Sequence, residues 1–138
     1  MINKIIFIEG VSGACKTTTT SLICDNLQNI GYDVLCYLEG AKDNLLDPFN
    51  GAYPPNIPLT TYTKTYSSCW DNFIKAEFGP SLILDGTFLH RQTNDLVRCY
   101  DASRETIVKY LSALLQSIQD IDPVVFYLNS HDICQSLT

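Results

Sequence analysis

Ile5-Ile6-Phe7-Ile8-Glu9-Gly10-Val11-Ser12-Gly13-Ala14-Cys15-Lys16-Thr17 is the stretch that decides how the rest of the chain is read. Ile5 to Ile8 is an unbroken β-branched and aromatic run, the pattern of a parallel strand covered on both faces. Gly10 and Gly13 punctuate the turn that follows. Thr17 to Ile30 then carries Leu22, Ile23, Leu27 and Ile30 at helical spacing. Gly31 supplies a stop signal, and residues 33–38 (Val34, Leu35, Cys36, Tyr37, Leu38) read as a second strand. A strand–turn–helix–strand unit of this kind predicts an α/β fold with a parallel sheet.

Outward from that unit the signals are uneven. Residues 40–65 carry Pro48, Pro54, Pro55 and Pro58 among Asn, Gly and Thr, which disfavours a long helix or strand and predicts a long segment that is either a functional loop or disordered. Tyr66 to Phe78 is expected to form a short helix presenting Trp70, Phe73, Ile74 and Phe78. Ser81-Leu82-Ile83-Leu84-Asp85 is an apolar third strand ending on an acid. Thr93 to Tyr100 carries a weak helical signal. Ser103 to Gln119, with Ile107, Leu111, Leu114, Leu115 and Ile118 on one face, is the strongest helix outside the opening unit, capped by Asp101 or Ser103. Pro123 to Leu128 is the fourth strand. Residues 1–138 are read as a single domain.

Charge and composition narrow the partners. Nine Lys and Arg stand against fifteen Asp and Glu, for a net charge of −6. No basic run exists to track a nucleic-acid backbone, and the acidic balance disfavours an anionic membrane surface. No stretch is apolar enough to span a bilayer. Six cysteines at 15, 24, 36, 69, 99 and 134 lack metal-ligand spacing, with His131 and Cys134 the lone His/Cys pair. They are read as reduced thiols, which predicts a cytoplasmic protein.

Gly10 to Thr17 matches the pattern GxxxxGK[ST] at Gly10, Lys16 and Thr17, with Cys15 where the second glycine belongs. In this pattern successive backbone N–H groups and a helix N-terminus converge on phosphate oxygens. The expected contacts come from Gly10, Val11, Ser12, Gly13, Ala14, Cys15, Lys16, Thr17 and Thr18. Lys16 neutralises charge on the outer phosphates, and Thr17 ligates Mg²⁺. Cys15 is the defect: a positive φ there costs a residue with a Cβ about 1–2 kcal/mol. Asp85, at a strand's carboxyl end, is a candidate second Mg²⁺ ligand or a turn cap. Glu39, ending the second strand, is either a base for a hydroxyl acceptor or a solvated loop acid. Arg91, Arg98 and Arg104 are candidate phosphate contacts, each more simply a surface residue. His90 has no evident partner. Tyr53, Tyr62, Tyr66 and Trp70 are candidate base-stacking residues, with a core role favoured for Trp70.

From Phe7-Ile8-Glu9-Gly10 through Lys16-Thr17-Thr18 the chain resembles P-loop nucleoside and nucleotide kinases of the thymidylate-kinase and deoxynucleoside-kinase type. Tyr37-Leu38-Glu39 looks like the strand end that carries a catalytic Glu in deoxynucleoside kinases, and Leu82-Ile83-Leu84-Asp85 is similar to their third strand. Asp85-Gly86-Thr87-Phe88-Leu89, the Asn-Asp-Leu segment at 94–96 and the 123–128 strand resemble uncharacterised bacterial P-loop kinase-like proteins. The resemblance implies a three-layer P-loop NTPase fold with helices on both faces and strand order 2-3-1-4-5. It implies ATP and Mg²⁺ as cofactors and γ-phosphoryl transfer to a small acceptor, a nucleoside or nucleotide, by Lys16, Glu39 and Asp85. The alternative is a nucleotide-binding module without turnover. Gly86-Thr87 replaces the Arg that follows the acid in many of these kinases. Lid helices, lid arginines and a fifth strand belong beyond Thr138, so a C-terminally truncated domain is expected. A GTPase lacks its Asn-Lys-x-Asp motif here, and a dinucleotide enzyme lacks GxGxxG.

Overall fold

A computed structural model describes residues 4–11, 13–39, 41, 44–76 and 79–129. In chain order its elements are β1 (Ile5–Gly10), α1 (Lys16–Asn29), β2 (Val34–Tyr37), α2 (Leu59–Lys75), β3 (Ser81–Asp85), α3 (His90–Arg98), α4 (Arg104–Ile118) and β4 (Val124–Leu128). All strand pairs are parallel, in the order β2-β3-β1-β4, which matches the first four strands of the order that the resemblance implied. Phe7 lies opposite Leu84, Ile8 opposite Asp85 and Tyr37 opposite Leu84. The carboxyl ends of β2 and β3 therefore finish within one residue of each other, and β1 runs two residues further.

The period-2 pleat divides the strands between two cores. Ile5, Phe7, Leu82 and Leu84 pack with Tyr62, Tyr66, Trp70 and Phe73 of α2, Leu96 of α3, and Leu114 and Ile118 of α4. On the opposite face Ile8, Val34 and Ile83 pack with Cys24 of α1, and Ile23 and Leu27 lie against them. Helices thus cover both faces. β4 is the least covered strand, with Val125, Phe126 and Tyr127 each more than two-fifths exposed.

Four expectations are corrected. α2 starts at Leu59 rather than Tyr66, because Tyr62, Tyr66, Trp70 and Phe73 form one continuous buried stripe at helical spacing. The threonines that make 60–65 a poor helix by propensity are outweighed by that burial. α1 does not bury Leu22 or Ile30, which are 58% and 71% exposed; its inward line is Lys16, Thr20 and Cys24. Cys24 and Cys36 are joined in a disulfide. α1 lies against the strand it precedes, which brings their Cα atoms to 6.3 Å, within bridging range. The reduced-thiol premise for a cytoplasmic placement therefore does not extend to this pair. Cys15, Cys69 and Cys99 are free thiols. α3 starts at His90, three residues before its expected start. Ser103 caps α4, accepting from the Thr106 N–H. Among the described residues no helix is long and apolar enough to cross a membrane. The expectations on Phe78, His131 and Cys134 fall outside the described residues.

Candidate functional site

The turn after β1 opens at Gly10. A Cβ there would sit 2.6 Å from the Leu128 carbonyl oxygen, so glycine is what lets β4 close against the turn. Val11 O accepts from Ala14 N at 3.2 Å and from Lys16 Nζ at 3.1 Å, folding the lysine back over the turn. Ser12 lies outside the described residues. Cys15 adopts φ 61°, ψ 34°, the left-handed conformation in which its Cβ costs about 1–2 kcal/mol. It stands at the N-cap of α1 with no side-chain capping bond, and its thiol is exposed. Lys16 opens α1 and is only 7% exposed, whereas Thr18 is exposed.

Thr17 and Asp85 meet although 68 residues separate them. Thr17 Oγ1 donates to Asp85 Oδ2 at 2.7 Å. The Glu39 N–H reaches the same oxygen at 3.4 Å. Asp85 is fully buried, and its other oxygen, Oδ1, has no hydrogen-bond partner. A hydroxyl beside a buried, half-satisfied carboxylate fits Mg²⁺, which takes few protein ligands and keeps several waters. Among the described residues no group of three or more His, Cys, Asp and Glu side chains forms a dedicated metal cage.

Glu39 follows the end of β2 and faces this pair. Burial pushes its carboxyl up to about 7; Lys16 and Arg91 oppose the shift, while Asp85 and Glu9 add to it. Gly86, at φ +62°, makes room for it: a Cβ at that position would lie 2.6 Å from Glu39 Oε2 and 3.5 Å from Lys16 Cε. Glu39 and Lys16 therefore converge over one glycine. That close approach explains why Gly86 stands after the strand-end acid here.

His90, expected to lack a partner, has several. Its Nε2 lies 3.6 Å from Glu39 Oε1 and 3.0 Å from Asn94 Nδ2. Burial and the Lys16 charge lower its pKa, while Asp85 and a hydrogen bond to the Gly10 backbone raise it. Glu9, which sequence reasoning treated only as the end of the first strand, is fully buried. Its carboxylate accepts from the N–H groups of Phe88, Leu89 and His90 at 2.8–3.0 Å. Burial raises its pKa against those three bonds and Lys16. The signal for it was a charged residue inside an otherwise apolar central strand, which demands internal partners.

The arginines separate. Arg91, read as a surface residue or phosphate contact, is held by Asp95 at 3.3 Å, by Asp47 at 3.9 Å and by the Ala52 carbonyl. It ties the 44–53 loop to α3. That loop is also anchored by Asn44 Nδ2 to Thr87 Oγ1 and by Asp47, which accepts from the Phe49 and Gly51 N–H groups. Arg98 is exposed and lines a cleft of about 230 Å³ with Glu39, Tyr53, Arg91 and Asn94. Arg104 begins α4 and is not among the residues that line this cleft. A second cleft, about 430 Å³, lies across His90 and is lined by Gly10, Val11, Leu89, Thr93 and Tyr127. Tyr62, Tyr66 and Trp70 are fully buried and serve the core, not a base; Tyr53 is 71% exposed.

No protein-family model and no curated protein matches the sequence.

Proposed function

We propose that this chain is a P-loop, kinase-type domain of three-layer architecture that binds ATP with Mg²⁺ and transfers the γ-phosphoryl group to a hydroxyl of a small acceptor. One observation carries the reading: Lys16, the Thr17–Asp85 pair and Glu39 come together at the carboxyl ends of three parallel strands, where open α/β sheets bind ligands. Backbone N–H groups of the 10–18 turn and the α1 N-terminus hold the phosphates. Lys16 Nζ exchanges the Val11 carbonyl for phosphate oxygen. Thr17 Oγ1 and Asp85 would hold Mg²⁺, which supplies charge neutralisation for the phosphates when bound. Glu39, with its carboxyl raised to about 7, accepts the acceptor hydroxyl's proton on Oε1 or Oε2 and orients that hydroxyl. A net charge of −6 disfavours nucleic acid, whereas a small anionic ligand needs only local N–H donors and a cation or two.

A second reading, nucleotide binding without turnover, is favoured by the left-handed Cys15 in place of glycine and by the Lys16–Val11 bond that must open. Calorimetric titration of ATP and Mg²⁺ into the chain and into Lys16→Ala tests the shared premise. Micromolar binding that weakens roughly 10–100-fold in the variant is expected from loss of a charge-assisted contact. Absence of binding at millimolar ATP overturns both readings. ADP release that depends on an added acceptor separates the kinase from the binding module.

A further inference from the structure

The face of α3 turned toward Glu39 carries His90, Asn94 and Arg98 at i, i+4 and i+8, so the three side chains form one line along the helix. At 1.5 Å per residue this line runs roughly 12 Å from end to end. His90 stands beside Glu39 at one end. Glu39, Asn94 and Arg98 line the same 230 Å³ cleft, with Tyr53 exposed at its rim. The Arg91 guanidinium on its floor is already taken, engaged by two carboxylates, Asp95 and Asp47, and by the Ala52 carbonyl. The Asp95 carboxylate takes the Tyr62 hydroxyl as well, at 2.9 Å. Arg98 has no ion pair among the described residues. It is thus the cation of this cleft that a ligand can neutralise, and it stands at the end opposite the group proposed to activate a hydroxyl.

We propose that the acceptor is a small hydroxylated molecule bearing an anionic group, a phosphate or carboxylate, with its hydroxyl at Glu39 and its anion on the Arg98 guanidinium. This rests on the phosphotransferase reading for the hydroxyl end, while the anion subsite stands on the α3 line itself. The planar fork of Arg98 matches both carboxylate and phosphate oxygens bidentately. Asn94 lies between the ends, where its amide meets the polar middle of the acceptor. Neutral polyols of the same size leave Arg98 unpaired and are poor acceptors.

The test uses three matched probe pairs: glycerol with glycerol 3-phosphate, ribose with ribose 5-phosphate, and thymidine with thymidine 5′-monophosphate. Each is titrated calorimetrically into the full chain carrying Lys16→Ala, so that phosphate held at the turn cannot give the signal. The same chain with Arg98→Gln added is the comparison. At least one phosphorylated probe is expected to bind tenfold or more tightly than its neutral partner, and the advantage falls below threefold with Arg98→Gln. Arg98→Lys, which keeps the charge and loses the fork, retains part of it. Equal binding within all three pairs, or an advantage that survives Arg98→Gln, overturns the proposal. ATP affinity of the unsubstituted chain is measured alongside. Phosphate preference without ATP binding strikes the phosphotransferase reading alone, and ATP binding without phosphate preference strikes the anion subsite alone.

Discussion

The two sides of the site are built on opposite principles. On the β1–α1 side the candidate residues are contiguous, Gly10 to Thr18, and the geometry is local: a turn, a left-handed residue and a helix start. Its polar groups are weakly engaged internally, with Lys16 holding one carbonyl and Cys15 capping nothing. On the side formed by β2, β3 and α3, joined by Glu9 from β1, the residues come from positions 9, 39, 85, 86 and 90, and nearly every polar group has an internal partner. The first side presents donors to a ligand and tolerates strain. The second fixes carboxylates in place through long-range bonds and burial. Electrostatic preorganisation of this kind resides in packing, not in a motif.

The largest test of that contrast removes the group which only the second side supplies. Glu39→Gln is expected to lower acceptor-dependent turnover by roughly 10²–10⁴-fold, about 3–5 kcal/mol of barrier, while ATP affinity is retained. Steady-state kinetics with a parallel titration reads both. The unsubstituted chain should gain turnover as pH rises through about 7, where Glu39 loses its proton. Its folding stability should run the other way. Because the folded carboxyl titrates near 7 and the unfolded one near 4.5, the native state holds a proton across that window that the unfolded chain does not. Stability therefore falls as pH rises from 4.5 to 7. Urea midpoints that rise over the same window would contradict the raised Glu39.

The Cys24–Cys36 bond links the two sides, since α1 carries Lys16 and Thr17 and β2 leads to Glu39. Reducing it releases a short loop and is expected to cost about 3 kcal/mol of stability. Denaturant unfolding with and without dithiothreitol reports this, and the response should vanish in the Cys24→Ser/Cys36→Ser chain. A smaller effect, about 1–2 kcal/mol, is expected for Gly86→Ala, whose left-handed φ and 2.6 Å approach to Glu39 both oppose a Cβ. Its diagnostic is selective: turnover drops toward the Glu39→Gln level and ATP affinity stays within threefold. Smallest is Cys15→Gly. Relief of the left-handed Cβ, set against glycine's greater unfolded-state entropy, should stabilise the chain by about 1 kcal/mol or less. ATP affinity should improve up to about fivefold; a variant that binds ATP more weakly would mean the thiol itself contributes to the site.

This contrast also governs what the sequence disclosed. The four strands, their parallel sense and the turn were legible because each rests on a contiguous pattern, apolar runs and a Gly-Lys-Thr spacing, whereas the strand order came from the family resemblance alone. Glu39 and Asp85 were legible as strand ends. Glu9, Gly86 and His90 were not, since their roles depend on which strand ends align across gaps of up to about eighty residues. The α2 start was misplaced because threonine propensity at 60–65 conceals the Tyr62–Tyr66–Trp70 stripe, whose burial decides the outcome. Arg91 was misjudged for a related reason: Asp95 lies one helical turn on in α3, but Asp47 lies 44 residues before it and only the folded loop brings it in.

Gly10 presses against Leu128, and β1 is flanked by strands that begin at residues 81 and 124. The turn thus leaves the ribosome well before its back wall does. A nascent chain holds the motif but lacks the sheet that shapes it until more than a hundred further residues have emerged. Such long-range parallel pairing folds slowly. Any ligand that grips the finished turn therefore acts after β4 has paired, stabilising a formed sheet rather than serving as a nucleus for it.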